Sequence, residues 1–152
     1  MCIRDRLRTV PDGEKLSYLE LLLLADEQQS MIERYLYRGT LYALYDGGLR
    51  SICVVTQEPD GVLELKNVAT LPAYQRMGYG KALLSMVAER CKGAGRWLSV
   101  GTGDCPSTIG FYEACGFRRS HVVKEFFTQN YDHPIYEDGR QLVDMVYLKQ
   151  AL

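Results

Sequence analysis

The feature that most constrains this chain is a change of hydrophobic period near its middle. Val62 to Thr70 is predicted to be a strand. After Gly78 and Gly80 the apolar residues recur at helical spacing, and the pattern stops at Gly93 or Gly95. The apolar residues of this predicted helix are Leu83, Leu84, Val87, Ala88 and Cys91. A strand followed at once by such a helix favours a fold that contains a βαβ crossover.

Two short helices are predicted in the first part of the chain, after a strand over Ile3 to Thr9. The first helix is expected to present one apolar face, made of Leu16, Leu19 and Leu23. The second helix is predicted to begin at a capping box formed by Asp26 and Gln29. Its apolar face consists of Met31, Ile32, Tyr35 and Leu36.

The remaining elements complete a mixed sheet. Thr40 to Tyr45 and Leu49 to Gln57 are joined by Asp46-Gly47-Gly48, a turn that makes this pair antiparallel. A further helix is predicted from Pro106, and an irregular stretch over Thr128 to Arg140. Three more strands are predicted over Arg96 to Gly101, Phe117 to Phe127 and Gln141 to Leu148. The interpretation is an α/β fold with a mixed sheet of about seven strands: an antiparallel meander followed by a βαβ crossover, with helices on both faces.

Composition excludes several classes of protein. The chain has 152 residues, so one domain over residues 1–152 is expected. Eighteen basic and nineteen acidic side chains leave a net charge of -1, which argues against nucleic acid or an anionic membrane as partner. The longest apolar run, Leu21 to Ala25, is too short to cross a bilayer, and no secretory signal is found, so a cytoplasmic location is expected. Five cysteines without a CxxC pair predict neither a disulfide framework nor a metal site.

The segment Gln75 to Ala82 is the strongest candidate binding site in the sequence. A strand ends, a turn follows and two glycines begin a helix, which leaves unpaired backbone N–H groups at the positive end of a helix dipole. Gly78 and Gly80 would let a phosphate approach the backbone closely. Arg76 and Lys81 would add positive charge at the rim. A tight turn that binds nothing is the alternative interpretation.

Two other phosphate motifs are excluded. A Walker A loop requires a glycine five positions before the Gly-Lys pair and Ser or Thr after it, but Gln75 and Ala82 occupy these positions. The dinucleotide fingerprint requires a third glycine, but Leu83 stands in its place. Neither a P-loop nor a Rossmann site is therefore predicted.

Two segments together carry a resemblance to a known family. One is Gln75-Arg76-Met77-Gly78-Tyr79-Gly80, of the type Q/R-x-x-G-x-G/A, which follows a strand and a proline. The other is Phe111 to Phe117, of the type Y-x-x-x-G-F, which lies farther along the chain. Together they resemble the GNAT superfamily of acetyl-CoA-dependent N-acetyltransferases, and the resemblance extends over the whole order of predicted elements. It implies transfer of an acetyl group from acetyl-CoA to a primary amine by direct attack in a ternary complex.

The resemblance also implies where acetyl-CoA would bind. Its pyrophosphate would lie on the glycine loop, Gln75 to Gly80, and its pantetheine arm along the splayed end of the strand Val62 to Thr70, with no metal required. A backbone N–H near Val68 would polarise the thioester carbonyl. The implied cofactor-binding residues are Val68, Ala69, Thr70, Gln75, Arg76, Met77, Gly78, Tyr79, Gly80, Lys81 and Ala82.

Two residues are candidates for the proton transfers. Tyr112 stands where the family often carries a general acid that protonates the departing CoA thiolate. A phenol suits this role because its reference pKa of about 10 keeps it protonated at neutral pH. Glu64 is the candidate general base, which would take a proton from the attacking amine through water. The alternative interpretations are a core aromatic for Tyr112 and a solvated carboxylate for Glu64.

One departure from the family's pattern concerns the residue seven positions before the tyrosine. The family often has Asn there, whereas this chain has Cys105. A cysteine nucleophile is an alternative, but no His lies near it in the sequence to activate it. The two His residues of the chain, His121 and His133, do not suggest a metal site.

The acceptor is not identified by the sequence. A small amine and a peptide or protein amine both remain open, as does a homodimer. Residues that could receive a cationic amine are Tyr35, Tyr37, Tyr136, Glu137, Asp138 and Asp144, and solvated turn residues are the alternative. Two other functions also remain open: a sensor that binds acyl-CoA without turnover, and a transferase for a longer acyl group.

Overall fold

The computed structural model describes residues 6–152 of the chain. In this part of the chain nine strands form two sheets. The strands are β1 (Leu7–Val10), β2 (Thr40–Tyr45), β3 (Leu49–Glu58), β4 (Val62–Thr70), β5 (Trp97–Gly103), β6 (Arg118–Val123), β7 (Tyr136–Glu137), β8 (Arg140–Gln141) and β9 (Met145–Ala151). The β7 and β8 strands form a small ribbon of their own.

Helices cover both faces of the main sheet. They are α1 (Leu19–Ala25), α2 (Gln29–Glu33), α3 (Tyr79–Cys91), α4 (Pro106–Ala114) and α5 (Phe126–Asn130). Short 3₁₀ helices lie at Asp12–Tyr18, Pro59–Gly61 and Pro72–Tyr74.

The main sheet has the order β1-β2-β3-β4-β5-β9-β6 within the described residues. The pair β4 and β5 is parallel, and α3 connects the two strands, whereas the other neighbouring pairs are antiparallel. The predicted fold class is therefore confirmed: a meander from β1 to β4 is followed by a βαβ crossover.

The sheet separates two hydrophobic cores. Under α3 and α4 the buried side chains include Leu63, Leu65, Leu84, Val87 and Ile109. On the opposite face, under α1 and α2, they include Leu21, Leu22, Ile32, Leu36 and Ile52. Since burial of a Leu or Ile side chain contributes about 1.5 to 3 kcal/mol, each core helps to hold its helices on the sheet.

The first predicted helix differs from the structure in its buried face. Residues 3–5 of the predicted first strand lie outside the described residues, and β1 runs from Leu7 to Val10. Leu16 is 55% exposed, whereas Leu21 and Leu22 are buried. The reason is Lys15, which is buried and donates from Nζ to the carbonyl oxygens of Leu36 and Gly39 at 2.8 Å each. A 3₁₀ turn that points Lys15 inward leaves Leu16 outside.

The predicted strands near the end of the chain are shorter than expected. The strand predicted over Phe117 to Phe127 ends at Val123, because Glu125 has a φ of 57° and breaks the extended backbone. The stretch predicted as irregular contains most of α5 and the β7–β8 ribbon, and the last strand begins at Met145, not at Gln141. Phe127, Ile135 and Leu142 form a small third core, which explains why this segment folds beside the sheet.

Candidate active site

The parallel strands β4 and β5 part halfway along their length. Their pairing runs from Val62 opposite Trp97 to Leu65 opposite Val100. Both strands continue, β4 to Thr70 and β5 to Gly103, without further pairing between them among the described residues. The strand edges beyond Leu65 therefore have backbone groups free to bind a ligand.

A bulge in β4 begins where the strands part. Across from β3, Leu65 pairs with Val55 and Asn67 pairs with Val54, so Lys66 is an extra residue. The extra residue changes the face to which later side chains point. Val68 packs under α3 as Leu65 does, whereas Asn67 reaches the carbonyl oxygen of Leu22 on α1. After the bulge, the side chain of Asn67 thus points to the α1 side of the sheet and that of Val68 to the α3 side.

A cavity of about 610 Å³ lies at the parted strands. Its walls come from β4, β5, the junction of α1 and α2, and the segment around α5 and the β7–β8 ribbon. Three of the predicted site residues line it, namely Glu64, Val68 and Tyr112. The residues of the glycine loop from Gln75 to Ala82 are not part of its lining.

Tyr112 is held on α4 by other aromatic rings. It is 8% exposed, and its ring makes edge contacts with Phe111 and Phe117 at centroid distances of 5.2 and 5.7 Å. Burial raises the pKa of its phenol above the usual value. The Tyr112 hydroxyl therefore stays protonated at neutral pH and is able to donate a proton. Tyr112 is at once a core aromatic and a lining residue, so the two interpretations of it are compatible.

Glu64 lies on the wall of the cavity but is not solvated as a free carboxylate. Its side chain is 13% exposed, and its Oε2 lies 2.7 Å from Nζ of Lys66. Tyr147 also lines the cavity, and its pKa is raised to about 12 by burial and by the nearby negative charge of Glu64. The Glu64 carboxylate is therefore neutralised by an ion pair with Lys66.

The glycine loop has the backbone that its sequence predicts. Gly78 has a φ of 88° and directly precedes α3, while Arg76 has a φ of 63°. Gly80 is needed for a different reason: a Cβ at this position would lie 3.2 Å from Cζ of Phe111. The first turn of α3 thus presents backbone N–H groups that a helix does not use internally. This arrangement fits an anion such as pyrophosphate.

The glycine loop is also held by contacts between side chains that the sequence did not predict. The guanidinium of Arg50 lies 3.8 Å from the ring centroid of Tyr74 and 5.8 Å from that of Tyr79, which is the first residue of α3. The Tyr79 hydroxyl donates to Oδ2 of Asp46 at 2.7 Å, which ties the helix to the β2–β3 turn. No local sequence pattern links these four residues, because two lie at the β2–β3 turn and two lie in the later segment that leads into α3.

The residues predicted to receive a cationic amine are only partly brought together. Tyr35, Tyr136 and Glu137 line the cavity, whereas Tyr37, Asp138 and Asp144 do not. Asp138 accepts hydrogen bonds from Oγ of Ser107 at 2.8 Å and from Sγ of Cys105 at 3.3 Å. These contacts, and one from Thr108 to Glu137, tie the β7–β8 ribbon to the start of α4.

Two of these predicted residues have other partners or positions. Asp144 accepts from the backbone N–H of Glu125 at 2.8 Å and from Lys124 at 3.4 Å. Tyr37 is 50% exposed on the surface. Cys105, weighed as a nucleophile, is buried and outside the cavity lining.

Asp26 lines the cavity, whereas the sequence predicted it as part of a helix capping box. The capping box predicted for it is wrong, because α2 begins after Gln28 and has no side-chain cap. Instead Oδ1 of Asp26 accepts from the hydroxyl of Tyr131 at 2.7 Å, and Oδ2 accepts from that of Tyr35 at 3.0 Å. Burial raises the pKa of Asp26.

Comparison with known proteins defines the class of this chain. The model of the acetyltransferase (GNAT) family matches residues 8–117. The chain is also 34% identical over 132 residues to an uncharacterized N-acetyltransferase of Bacillus subtilis (strain 168), YvbK, and the match covers 85% of each chain. It belongs to the GNAT acetyltransferase family, as its two motifs predicted, and is an acetyltransferase.

Solved structures agree with this family in fold. A GNAT family acetyltransferase from Elizabethkingia anophelis with acetyl-CoA bound is 32% identical, with a TM-score of 0.89 over 96% of this chain and 97% of that one. An acetyltransferase of Bacillus subtilis in complex with CoA is 31% identical, with a TM-score of 0.87 over 97% of this chain and 98% of the other. Within residues 6–152, no helix has the length and apolar character needed to span a membrane.

Proposed function

We propose that this protein transfers the acetyl group of acetyl-CoA to a primary amine by direct attack in a ternary complex. The observation that carries the proposal is the parted pair β4 and β5, whose cavity is lined by Glu64, Val68 and Tyr112 together. One domain over residues 1–152, located in the cytoplasm, is part of the same proposal. Holding both substrates beside these groups turns a bimolecular reaction into a nearly unimolecular one.

The binding of acetyl-CoA is assigned to the loop and to the end of β4. The N–H groups of Gly78, Tyr79 and Gly80 would receive the pyrophosphate, because a helix N-terminus stabilises an anion. The further loop residues Gln75, Arg76, Met77, Lys81 and Ala82 would surround it. Support comes from Gly78, whose φ of 88° and open surroundings, with nothing within 4 Å of a Cβ built there, leave the start of α3 accessible.

The acyl arm would then follow β4 to the cavity. The unpaired edge of this strand offers the backbone groups of Val68, Ala69 and Thr70 to pantetheine. A backbone N–H near Val68 would donate to the thioester oxygen as negative charge develops there, which lowers the barrier to attack.

The proton transfers are assigned to Glu64 and Tyr112. As the amine nitrogen bonds to the acetyl carbon, Glu64 would accept a proton from that nitrogen through water. When the carbon–sulfur bond breaks, Tyr112 would give its proton to the departing thiolate. The buried position of Tyr112, which favours the protonated phenol, supports this role.

The test is release of free CoA thiol from acetyl-CoA in the presence of a panel of primary amines. We expect release only when both substrates are present, and acetylated amine in equal amount by mass spectrometry. A protein that binds acetyl-CoA in calorimetry but releases no thiol with any amine would be a sensor instead. Faster release from hexanoyl-CoA than from acetyl-CoA would show a transferase for longer acyl groups.

A further inference from the structure

Asp26 lies in the wall of the cavity, at the junction of α1 and α2. Both of its carboxylate oxygens accept hydrogen bonds from tyrosine hydroxyls, those of Tyr35 and Tyr131. These two donors come from positions 9 and 105 residues farther along the chain. The fold therefore fixes this carboxylate in place from two sides.

No basic side chain of residues 6–152 pairs with Asp26. Among residues 6–152 it forms no ion pair, and the basic side chains of the cavity are engaged elsewhere. Lys66 pairs with Glu64 at 2.7 Å, Arg38 pairs with Glu58 at 2.7 Å, and Arg34 donates to Oδ1 of Asn130 at 3.2 Å. A partly buried carboxylate that has only neutral donors is electrostatically suited to an incoming cation.

Asn67, which also lines the cavity, has an unpaired acceptor that a hydrogen-bond donor would satisfy. Its side chain is 96% buried, since only 4% is exposed. Its Nδ2 donates to the carbonyl oxygen of Leu22 and to the hydroxyl of Tyr35, both at 3.0 Å. Its Oδ1 is buried and has no hydrogen-bond partner in the described structure. A buried acceptor without a donor is unfavourable, and Asn67 is a lining residue of the cavity, so a donor in the cavity that reaches Oδ1 would be stabilised.

The orientation of the Asn67 amide follows from its neighbours. The Leu22 carbonyl is able only to accept, so the atom facing it must be Nδ2. The unpaired atom is therefore the oxygen, which accepts and does not donate. Because Asn67, Tyr35 and Asp26 form one hydrogen-bonded chain, the unpaired oxygen and the unneutralised carboxylate belong to one polar cluster.

We propose that Asp26 and Asn67 anchor a second, protonated nitrogen of the acceptor, which is therefore a diamine or a related dibasic amine. This inference rests on the proposed function. The reacting nitrogen must be neutral when it attacks, and its proton goes toward Glu64. A second ammonium, which stays charged, would donate to the carboxylate of Asp26 and to Oδ1 of Asn67.

The spacing along β4 is consistent with a short aliphatic chain between the two nitrogens. Glu64 and Asn67 are three positions apart on β4, and the bulge at Lys66 lies between them. Because the bulge takes up one residue, their partners Thr56 and Val54 on β3 are only two positions apart, and two residues of strand span about 7 Å. The two nitrogens of an extended four-carbon diamine are separated by a similar distance.

The experiment compares three acceptors of equal chain length: 1,4-diaminobutane, 1-aminobutane and 4-aminobutanoate. For the wild-type enzyme we expect kcat/KM to be at least about tenfold higher for the diamine than for the monoamine, as for a hydrogen-bonded charge. The carboxylate compound is expected to be the poorest. Equal kcat/KM for the diamine and the monoamine would overturn the proposal without any variant.

The variant Asp26→Asn removes the charge and keeps the size of the side chain. It should raise KM for the diamine until it matches that of the monoamine, with kcat and acetyl-CoA affinity unchanged. Asp144→Asn is the control, because this carboxylate lies outside the cavity lining and pairs with Lys124. An unchanged diamine preference in Asp26→Asn would refute the anchor.

Failure of the proposed function is distinguished by an equilibrium measurement. Calorimetric titration of the CoA-bound protein with 1,4-diaminobutane reports on the anchor even when no acetyl transfer is detected with any amine. Binding that is lost in Asp26→Asn would support the anchor alone. Absence of binding to the wild-type protein would overturn it.

Discussion

The glycine loop and the proposed acceptor side of the cavity are built in opposite ways. The loop and the first turn of α3 form one continuous segment, Gln75 to Ala82, whose proposed binding groups are backbone N–H groups. The polar cluster at Asp26 is assembled from residues at the end of α1, on β4 and after α5, and its proposed binding groups are side chains. A site made of backbone depends on the few glycines that permit its shape. A site made of side chains changes its specificity by single substitutions.

The largest effect is expected for Gly80→Leu. The new side chain would collide with Phe111 and occupy the space beside the first turn of α3, since even a Cβ lies 3.2 Å from that ring. We expect acetyl-CoA affinity to fall by about a hundredfold in calorimetry, as for the loss of several charge-assisted hydrogen bonds. Gly110→Ala on α4 is the control, because a Cβ there meets nothing within 4 Å. Undiminished affinity in a folded Gly80→Leu protein would show that the pyrophosphate lies elsewhere.

Tyr112→Phe tests the catalytic part of the cavity. The change removes the hydroxyl and keeps the ring against Phe111 and Phe117. Loss of a general acid is expected to lower kcat about tenfold or more, with acetyl-CoA affinity nearly intact. Steady-state kinetics and calorimetry on the same preparation measure both quantities. An unchanged kcat would remove Tyr112 from the mechanism.

The pH dependence of kcat is a finer test of the same residue. Burial raises the pKa of Tyr112, so its protonated form persists as the pH rises, and it is lost only above the usual value of about 10. We therefore expect no fall of kcat due to this acid between pH 7 and about 10. A fall of kcat near pH 8, present in the wild type and absent in Tyr112→Phe, would contradict this assignment.

The smallest effect is expected for Tyr79→Phe. It removes the hydrogen bond to Asp46, made at 2.7 Å, which ties the first residue of α3 to the β2–β3 turn. One neutral-to-charged hydrogen bond of this kind predicts a loss of acetyl-CoA affinity of about three- to tenfold. Acceptor KM should not change. A shift of acceptor KM as large as that of acetyl-CoA affinity would show that the two regions are not separable.

The parts of the fold that sequence predicts well are those that local chemistry determines. The turn Asp46-Gly47-Gly48 and the helix start at Gly78 both lie where they were predicted, because a positive φ or a tight hairpin selects glycine. The β4–α3–β5 crossover follows from the change of period. The two family motifs then identify the class of enzyme.

The parts that sequence does not predict depend on distant partners. Asp26 with Gln29 fits a capping box, and nothing local reveals that Tyr131 donates to this carboxylate from 105 residues away. Phe117 to Phe127 is rich in strand-forming residues, yet Glu125 adopts a positive φ and Phe127 joins the third core. The bulge at Lys66 has no marker such as glycine.

The bulge at Lys66 determines the face of the sheet to which each later side chain of β4 points. Asn67 and Val68 are neighbours in sequence, but one belongs to the acceptor wall and the other to the α3 side of the sheet. If β4 kept Lys66 but paired with β3 without the bulge, regular alternation would turn each later side chain to the other face. The amide would then face the α3 core and the valine would face Asp26, although every one of those side chains would still be present. The faces that the β4 side chains occupy therefore depend on the bulge as well as on the residue types.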